Sequence, residues 1–261
     1  MPEQTESSNL LSVKGHVVIV TGGGKGIGRV YCQSLSHLGA KVVVADVDAE
    51  SAQATAVDIR ADGGEAVAVR TDVSNAASTE AMAGKAIQTF GRIDGLVNNA
   101  GLMSSLPRRP WTEIPVEEWD QVMAVNLRGL FHCCRAVFPQ MKAQQKGKIV
   151  NISSSRVWEG TPNRLHYTTS KAGVIGFTRA LAREVGEFNI SVNAITPGLT
   201  LSDAQVASTA VGYADAAVSR RAFKRPQMAG DLVGTVVFLL ADASGFITGQ
   251  TINVDGGGHL H

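Results

Sequence analysis

Short apolar runs typical of β-strands alternate with segments of helical periodicity along the whole chain. The first run, HVVIV, is followed at once by a glycine cluster and then by apolar residues at helical spacing. Several runs are apolar throughout, which is typical of strands that are buried on both faces of a parallel sheet. The alternation predicts an α/β fold, a Rossmann-type doubly wound parallel sheet of seven strands with helices on both faces. The predicted strands are 16–20, 41–45, 66–70, 95–97, 148–153, 190–195 and 250–254, and the main predicted helices are 27–38, 49–61, 76–90, 167–188 and 231–240.

A single domain is expected over residues 1–261. The chain has 261 residues, of which 44% are apolar and 18% charged, and we find no linker that divides it. Residues 1–13 read as a polar N-terminal tail. The segment 198–225 lacks an alternating pattern and follows the carboxyl end of a predicted strand, where ligands bind in open α/β sheets. It is a candidate substrate lid.

Charge and cysteine content narrow the expected partners and the compartment. Twenty-four Lys and Arg residues against 23 Asp and Glu residues leave a net charge of +1 without a basic run. We therefore expect neither a nucleic acid nor a membrane surface as a partner. Three cysteines are too few for a disulfide framework, and neither a leader pattern nor a long apolar segment is seen. A cytoplasmic location is expected.

A glycine-rich turn, TGGGKGIG at 21–28, joins the first predicted strand to the first predicted helix. Glycine has no side chain and tolerates positive φ, so backbone N–H groups at the helix N-terminus can approach a pyrophosphate. The alternative is that the glycines only allow tight packing of strand against helix. The predicted phosphate-binding residues are Gly22, Lys25, Gly26, Ile27 and Gly28.

Acidic residues follow the next two predicted strands. Asp46 closes the second strand, 18 residues after Gly28, where a carboxylate can accept hydrogen bonds from the ribose hydroxyls of a dinucleotide. The alternative is a solvated loop acid, as Asp48 is expected to be. Asp72 and Val73, at the end of the third strand, are candidates for contact with the adenine.

Tyr167 and Lys171 are spaced i and i+4, so they share one face of the predicted helix. A nearby ammonium group favours the phenolate and is expected to lower the tyrosine pKa. Tyr167 could then exchange a proton with a substrate hydroxyl. An ordinary surface pair is the alternative.

The motifs TGxxxGxG, NNAG at 98–101, a serine, YxxxK and Pro197-Gly198 follow one another in this order. The chain resembles the short-chain dehydrogenase/reductase family over nearly its whole length, in the single-domain subgroup of about 250 residues. The resemblance implies Ser154 as the catalytic serine, because the family's serine usually precedes the tyrosine by 13 positions. Ser154 would donate a hydrogen bond to the substrate oxygen.

The resemblance also assigns further roles. Asn126 would hold a water between Lys171 and solvent, the alternative being a structural amide at a helix kink. Lys171 would also bond the nicotinamide ribose. Many members of the family have a threonine four residues after the glycine that corresponds to Gly198, and this chain has Ser202 at that position. Further cofactor contacts are implied for Asn99, Ala100, Gly101, Tyr167, Pro197, Gly198, Leu199 and Thr200. A homotetramer built on helices 126–144 and 167–188 is implied as well.

The segment after Ser154 departs from the family, which usually has small residues there. Trp158, with Leu102 and Met103, would form an apolar wall for a bulky or aromatic substituent, or would only pack between lid and core. Arg156 would bind an acidic substrate group, or would be an exposed arginine.

Three histidines are open to more than one interpretation. His166 points off the catalytic face and is expected to be structural. His259 and His261 would form a metal-binding pair or belong to a frayed terminus. We expect no metal.

The sequence thus predicts an oxidoreductase that transfers hydride between NAD(H) and a secondary alcohol/ketone pair. An NADPH-dependent 3-oxoacyl-thioester reductase is the alternative enzyme, and a non-catalytic nicotinamide sensor is the alternative of another class. Asp46 favours NAD, because it would repel the 2′-phosphate of NADP, whereas Lys25 favours NADP.

Overall fold

The computed structural model describes residues 10–201 and 213–260. A seven-stranded sheet in the order β3-β2-β1-β4-β5-β6-β9 forms its centre, and every strand pair is parallel. The strands are β1 Val17–Thr21, β2 Lys41–Asp46, β3 Glu65–Arg70, β4 Gly95–Asn98, β5 Gly147–Ile152, β6 Ile190–Pro197 and β9 Thr251–Val254, with a separate parallel pair of β7 Thr200–Leu201 and β8 Gln227–Met228. The predicted Rossmann-type fold is confirmed.

Helices cover both faces of the sheet. They are α1 Gly26–His37, α2 Ala49–Ala61, α3 Ala76–Phe90, α4 Val116–Met123, α5 Gly129–Gln144, α6 Arg156–Glu159, α7 Leu165–Val185, α8 Tyr213–Arg220 and α9 Gly230–Leu240. Helices α2 and α3 begin and end where the sequence predicts. Asp48 and Asn75 cap them, each accepting a hydrogen bond from the backbone N–H three residues on.

Alternation along the strands divides the core into two layers. Val18 and Val20 of β1 belong to the apolar cluster under α1, α2 and α9, whereas Val17 and Ile19 belong to the cluster under α3, α5 and α7. Because successive strand side chains point to opposite faces, a strand buried on both sides has to be apolar at every position. This explains the continuous runs in the sequence.

The strand order reverses direction at β1, which pairs with β2 on one side and β4 on the other. In a doubly wound sheet, the loops after the strands on either side of such a point separate and leave a crevice at the carboxyl ends. The glycine turn follows β1, and NNAG begins within β4. The topology therefore brings these two motifs to one edge of the sheet.

Two features were not predicted from the sequence. A π-helical segment, Ala124–Arg128, separates α4 from α5. The candidate lid 198–225 contains β7 and α8, and its residues 202–212, among them Ser202, lie outside the described residues. In the described ranges, no helix combines the length and apolar character that a membrane span requires.

Candidate active site

A cavity of about 290 Å³ lies at the carboxyl ends of the strands. Its walls come from the glycine turn, the NNAG segment, the end of β5, helix α7, the loop after β6 and the C-terminal residues. Most predicted site residues line it: Gly22, Lys25, Gly26, Ile27, Gly28, Asn99, Ala100, Gly101, Met103, Ser154, Arg156, Tyr167, Lys171, Pro197, Gly198, Leu199 and Thr200.

The glycine turn has the geometry of a phosphate site. Gly26 has a φ of +56°, in the left-handed region that glycine adopts more readily than other residues. A Cβ on Gly28 would lie 2.0 Å from the carbonyl oxygen of Gly22, so the turn closes only with glycine there. Lys25 is the N-cap of α1, and within the described residues its side chain forms no capping hydrogen bond with the helix. The first N–H groups of the helix therefore remain available to an anion in the cavity.

Asp46 is fixed beside this turn. Its Oδ2 accepts a hydrogen bond from the N–H of Gly24 at 2.9 Å, and its Oδ1 accepts one from the N–H of Asp48 at 3.0 Å. Lys25 Nζ lies 2.7 Å from Asp48 Oδ2, and this pair lowers the pKa of Asp48. Asp48 is thus an N-cap and an ion-pair partner rather than a purely solvated acid.

The NNAG segment is tied to the glycine turn through Thr21. The hydroxyl of Thr21 accepts hydrogen bonds from the N–H groups of Asn99 and Ala100, and the Asn99 amide donates to the carbonyl oxygens of Thr21 and Gly22. The Asn99 side chain therefore holds the two loops together. Thr21 was missed in the sequence, although its position at the end of β1 was visible.

Asn126 lies in the π-helical segment and is 2% exposed. Its Oδ1 accepts from the N–H of Leu102 at 2.7 Å, and its Nδ2 donates to the carbonyl of Leu102 and to Ser170 Oγ. A Cβ built on Gly101 would lie 3.3 Å from both Asn126 Oδ1 and Lys171 Nζ, so the amide and the ammonium converge. These contacts favour the structural interpretation of Asn126, and its water-holding role stays a prediction.

The Ser154 and Tyr167 hydroxyls meet in the cavity. Tyr167 is 6% exposed, and burial raises its pKa above the usual value, while a hydrogen bond with Ser154 and the positive charges of Arg156 and Arg164 act in the opposite direction. The expectation that Lys171 lowers this pKa is wrong here. Desolvation dominates, and Lys171 Nζ lies 5.9 Å from the centre of the tyrosine ring.

Lys171 is held at the end of β5. Its Nζ donates to the carbonyl oxygen of Ile152 at 2.8 Å, and its own carbonyl oxygen accepts from Ser153 Oγ at 2.7 Å. The side chain is 5% exposed, and burial lowers its pKa to about 8. Lys171 can therefore exchange a proton close to neutral pH.

The loop after β6 closes the cavity opposite α7. Thr200 Oγ1 donates to the carbonyl of Gly198 at 3.1 Å, and Arg221 Nη2 donates to the carbonyl of Leu199 at 2.6 Å. The backbone of Pro197 is also fixed, because its carbonyl oxygen accepts from the N–H of Ser155. The hydroxyl of Thr200 is thus already engaged within its own loop.

Asp72 and Val73 lie outside the cavity, at the end of β3. Asp72 Oδ1 accepts hydrogen bonds from the N–H and hydroxyl of Ser74. Val73 packs against Gly129, and its carbonyl lies 3.1 Å from His132 Nδ1. Their contact with the adenine stays a prediction.

Arg156 and Trp158 differ in position. The arginine is 9% exposed and lines the cavity, so the interpretation of Arg156 as an exposed residue is wrong. Arg156 is the first residue of α6 and follows Ser154 by two positions, which brings it to the cavity. Trp158 is half-buried, is not among the described lining residues, and donates from Nε1 to Thr196 Oγ1 at 3.2 Å. This hydrogen bond favours packing, and its substrate contact stays a prediction.

The histidines are ordered by carboxylates. His166 is fully buried, with Nε2 3.1 Å from Glu118 Oε1, as a structural residue would be. His259 is not frayed, because its Nδ1 lies 2.7 Å from Asp255 Oδ2 and it lines the cavity. His261 lies outside the described residues, within which no cluster of potential metal ligands is found.

Several lining residues were not predicted from the sequence. The run DGGGH after β9 was a signal for two of them, since it follows a strand end as the glycine turn does. The remaining ones follow no motif. They are Ser104, Ile152, Ser153, Ser155, Glu159, Ala217, Arg220, Arg221, Asp255 and Gly258.

Comparison with known proteins identifies the family. The short chain dehydrogenase family matches residues 16–210. A 3-oxoacyl-(acyl-carrier-protein) reductase of Synechocystis is 37% identical over 251 residues, covering 95% of this chain and 98% of the relative. A protein named probable galactose dehydrogenase, from Rhizobium meliloti, is 37% identical, covering 96% of this chain and 98% of the relative.

A solved structure extends the likeness to the fold. The 7α-hydroxysteroid dehydrogenase complexed with NADH and 7-oxo glycochenodeoxycholic acid superposes with a TM-score of 0.90 at 31% identity, over 97% of each chain. The resemblance seen in the sequence is confirmed, and so is an NAD(P)-dependent dehydrogenase/reductase activity on CH–OH groups. The chain belongs to the short-chain dehydrogenase family.

Proposed function

We propose that this enzyme transfers hydride between NAD(H) and a secondary alcohol/ketone pair. The observation that carries the proposal is the convergence of the Ser154 and Tyr167 hydroxyls in one cavity, beside a buried lysine. The nicotinamide cofactor supplies or accepts the hydride.

The protein's own residues orient the substrate and move the proton. Ser154 donates a hydrogen bond to the carbonyl oxygen and favours the charge that develops there. Tyr167 gives its proton to that oxygen in reduction and takes it back in oxidation. Lys171, with its pKa lowered to about 8 by burial, would take part in the exchange of this proton and would hold the nicotinamide ribose.

The glycine turn and the loops around it fit a dinucleotide. Helix α1 begins without a side-chain cap, and the Gly22 backbone lies close to Gly28 in a tight turn. Both features suit the binding of a pyrophosphate. Gly101 lies next to Lys171, and Gly198 lines the same cavity beside Arg221 and Asp255; we expect the nicotinamide in this part of the cavity.

We infer a preference for NAD over NADP from the charges near Asp46. Both of its oxygens are fixed by backbone N–H groups, so the carboxylate cannot turn away from a 2′-phosphate. Lys25, which would favour NADP, is engaged by Asp48. The charge of Lys25 is therefore shared between Asp48 and Asp46, and we expect the repulsion between the Asp46 carboxylate and a 2′-phosphate to decide the preference.

Asp46→Asn should narrow the preference for NAD at least ~10-fold, because it removes the charge and keeps the shape. The measurement is kcat/KM with NADH and with NADPH. A wild-type enzyme that works better with NADPH would overturn the preference. An unchanged ratio in Asp46→Asn would instead exclude Asp46 as its source.

A panel of ketones and alcohols, followed by NADH absorbance, tests the proposed function itself. A 3-oxoacyl-thioester with NADPH belongs in the panel, because the Synechocystis relative is named a 3-oxoacyl reductase. We expect turnover of secondary alcohols and ketones. Met103 would contact the bulky or aromatic substituent of the substrate. Absence of turnover for every pair would contradict the proposal.

We further propose a homotetramer and a cytoplasmic location. Leu127, Phe131 and Phe177, on the segments predicted to meet a partner subunit, line a shallow apolar groove at the surface. All three cysteines are free and buried, which suits a reducing compartment. Sedimentation velocity at micromolar concentration should give a tetramer, and a monomer would contradict the assembly.

A further inference from the structure

Arg156 is a buried cation at the reacting end of the cavity. It begins α6 two residues after Ser154, and its backbone N–H donates to Ser154 Oγ at 3.3 Å. Its side chain is largely buried, lines the same cavity as Tyr167, and is close enough to oppose the rise in the tyrosine pKa. The guanidinium therefore lies near the point where a substrate carbonyl has to bind.

The described residues that line the cavity carry an excess of positive charge, because the basic side chains among them outnumber the two acidic ones, Glu159 and Asp255. Glu159 lies 3.1 Å from Arg220, and Asp255 Oδ2 lies 2.7 Å from His259 Nδ1, so both carboxylates have a partner within the lining. Arg156, Lys171 and Arg221 also line the cavity and add to the positive side. A cavity of one sign with low-dielectric walls concentrates anions of the opposite sign.

The cofactor phosphates are expected elsewhere in the cavity. They are expected at the glycine turn, which follows β1, whereas Arg156 follows β5 and lies beside Ser154 and Tyr167. The guanidinium of arginine is always ionised, and its planar arrangement of N–H groups matches the two oxygens of a carboxylate. A lysine at this position would present only a point charge.

We propose that Arg156 binds the carboxylate of the substrate, so that the enzyme acts on an oxo acid/hydroxy acid pair. The inference rests on the proposed function and narrows its substrate class. In reduction, hydride adds to the carbonyl carbon, Tyr167 protonates the carbonyl oxygen, and the products are the hydroxy acid and NAD⁺. The carboxylate takes no part in the bond changes and serves to orient the acid.

The test compares oxo acids with their neutral methyl esters. The probes are 2-oxobutanoate, 3-oxobutanoate and 4-oxopentanoate, each with its methyl ester, reduced with NADH. Because the ester changes the reactivity of the carbonyl, the measured quantity is the acid-to-ester ratio of kcat/KM in a variant relative to the wild type. In Arg156→Gln we expect this ratio to fall at least ~30-fold for the best acid, as when a buried charge pair loses one partner.

Two further variants act as matched controls. Arg156→Lys keeps the charge and loses the fork, so the ratio should fall by a smaller factor. Arg220→Gln removes the same charge from the same cavity, but from a residue that is half-exposed and held by Glu159, so the ratio should stay within about threefold of the wild type. A larger fall in Arg220→Gln than in Arg156→Gln would overturn the assignment to Arg156.

A binding measurement keeps the test independent of turnover. Titration calorimetry of the NAD⁺-loaded enzyme with the oxo acid reports a complex that cannot react, because no hydride is available. Arg156→Gln should weaken this binding at least ~10-fold and leave NAD⁺ binding and the thermal midpoint close to the wild-type values. Equal binding in wild type and variant would overturn the proposal.

The outcomes separate this inference from the proposed function. If Arg156→Gln lowers the turnover of acids and of esters by the same factor, Arg156 acts only on Tyr167. The assignment of Arg156 to the substrate carboxylate then fails, and the proposed oxidoreductase function is unaffected. The same holds if neutral ketones are reduced and the acids neither bind nor react. If no ketone is turned over with either nicotinamide cofactor, the proposed function fails.

Discussion

The two sides of the cavity are built differently. The sheet side consists of the glycine turn, NNAG, Ser154 and helix α7, all of which are bonded to strand ends. The entrance side consists of α6, residues 160–164 and α8, whose backbone groups form no described hydrogen bond with a strand, although the Trp158 side chain of α6 donates to Thr196 of β6. The difference shows why short motifs predict one side and leave the other open.

On the sheet side, each site residue is fixed by the backbone of a strand. Asn99 is held by the last residues of β1, and Lys171 is bonded to Ile152 at the end of β5. A motif at a strand end therefore determines where the side chain lies. The position of Ser154 is fixed in the same way, because the N–H of neighbouring Ser153 donates to Ile195 of β6.

On the entrance side, contacts between distant segments decide the positions. Arg164 Nη2 donates to the carbonyl of Leu106 at 2.9 Å, and Arg220 pairs with Glu159 across the cavity. Neither contact has a sequence signature, because the partners are far apart in the chain. Alternatives for Arg156 and Trp158 were therefore left open by the sequence.

The largest expected effect on the sheet side is the pH dependence of stability that Lys171 causes. Its pKa is lowered to about 8 in the folded state, so between pH 8 and its ordinary value of 10.5 the unfolded chain binds more protons. Stability therefore rises with pH in that window. Relative to Lys171→Met, the free energy of unfolding of the wild type should rise by roughly 2–3 kcal/mol between pH 7 and pH 10.

Denaturant unfolding of both proteins at each pH measures this difference. Tyr167 acts in the opposite direction above pH 10, because burial raises its pKa and the folded state keeps the proton. The comparison is therefore limited to pH 10 and below. A difference that stays flat or falls in this window would contradict a lowered pKa of Lys171 in the folded state.

A smaller effect is expected from Trp158 on the entrance side. Trp158→Ala removes a half-buried ring and its hydrogen bond to Thr196, so the free energy of unfolding should fall by about 2 kcal/mol. If the ring packs and does not touch substrate, KM for aromatic and aliphatic ketones should change by the same factor, within about threefold. Trp111→Ala, at a tryptophan 71% exposed, is the control and should leave stability nearly unchanged.

A rise in KM confined to aromatic ketones would contradict the packing interpretation. In that case Trp158 would belong to the apolar wall expected from the sequence. The sequence would then predict a substrate contact on the entrance side that the structure does not indicate.

The sequence predicts the fold closely, because strands buried on both faces have to be apolar and stand out as continuous runs. Tyr167 and Lys171 are selected by their i, i+4 spacing, and Ser154 by the resemblance to the family. The direction of the Tyr167 pKa shift does not follow from the sequence, since it depends on how deeply the fold buries the hydroxyl. The link between His259 and Asp255 is equally hidden, because it needs the turn after β9 to bring them together.

Turnover of Tyr167→Phe tests the central claim most directly. The substitution removes only the hydroxyl that meets Ser154, while the ring keeps its packing against Leu106 and Val122. For the best pair found in the panel, kcat should fall at least ~10²-fold, with NADH binding and the thermal midpoint unchanged. A variant that keeps its turnover would contradict the assignment of Tyr167 as the group that exchanges the proton with the substrate.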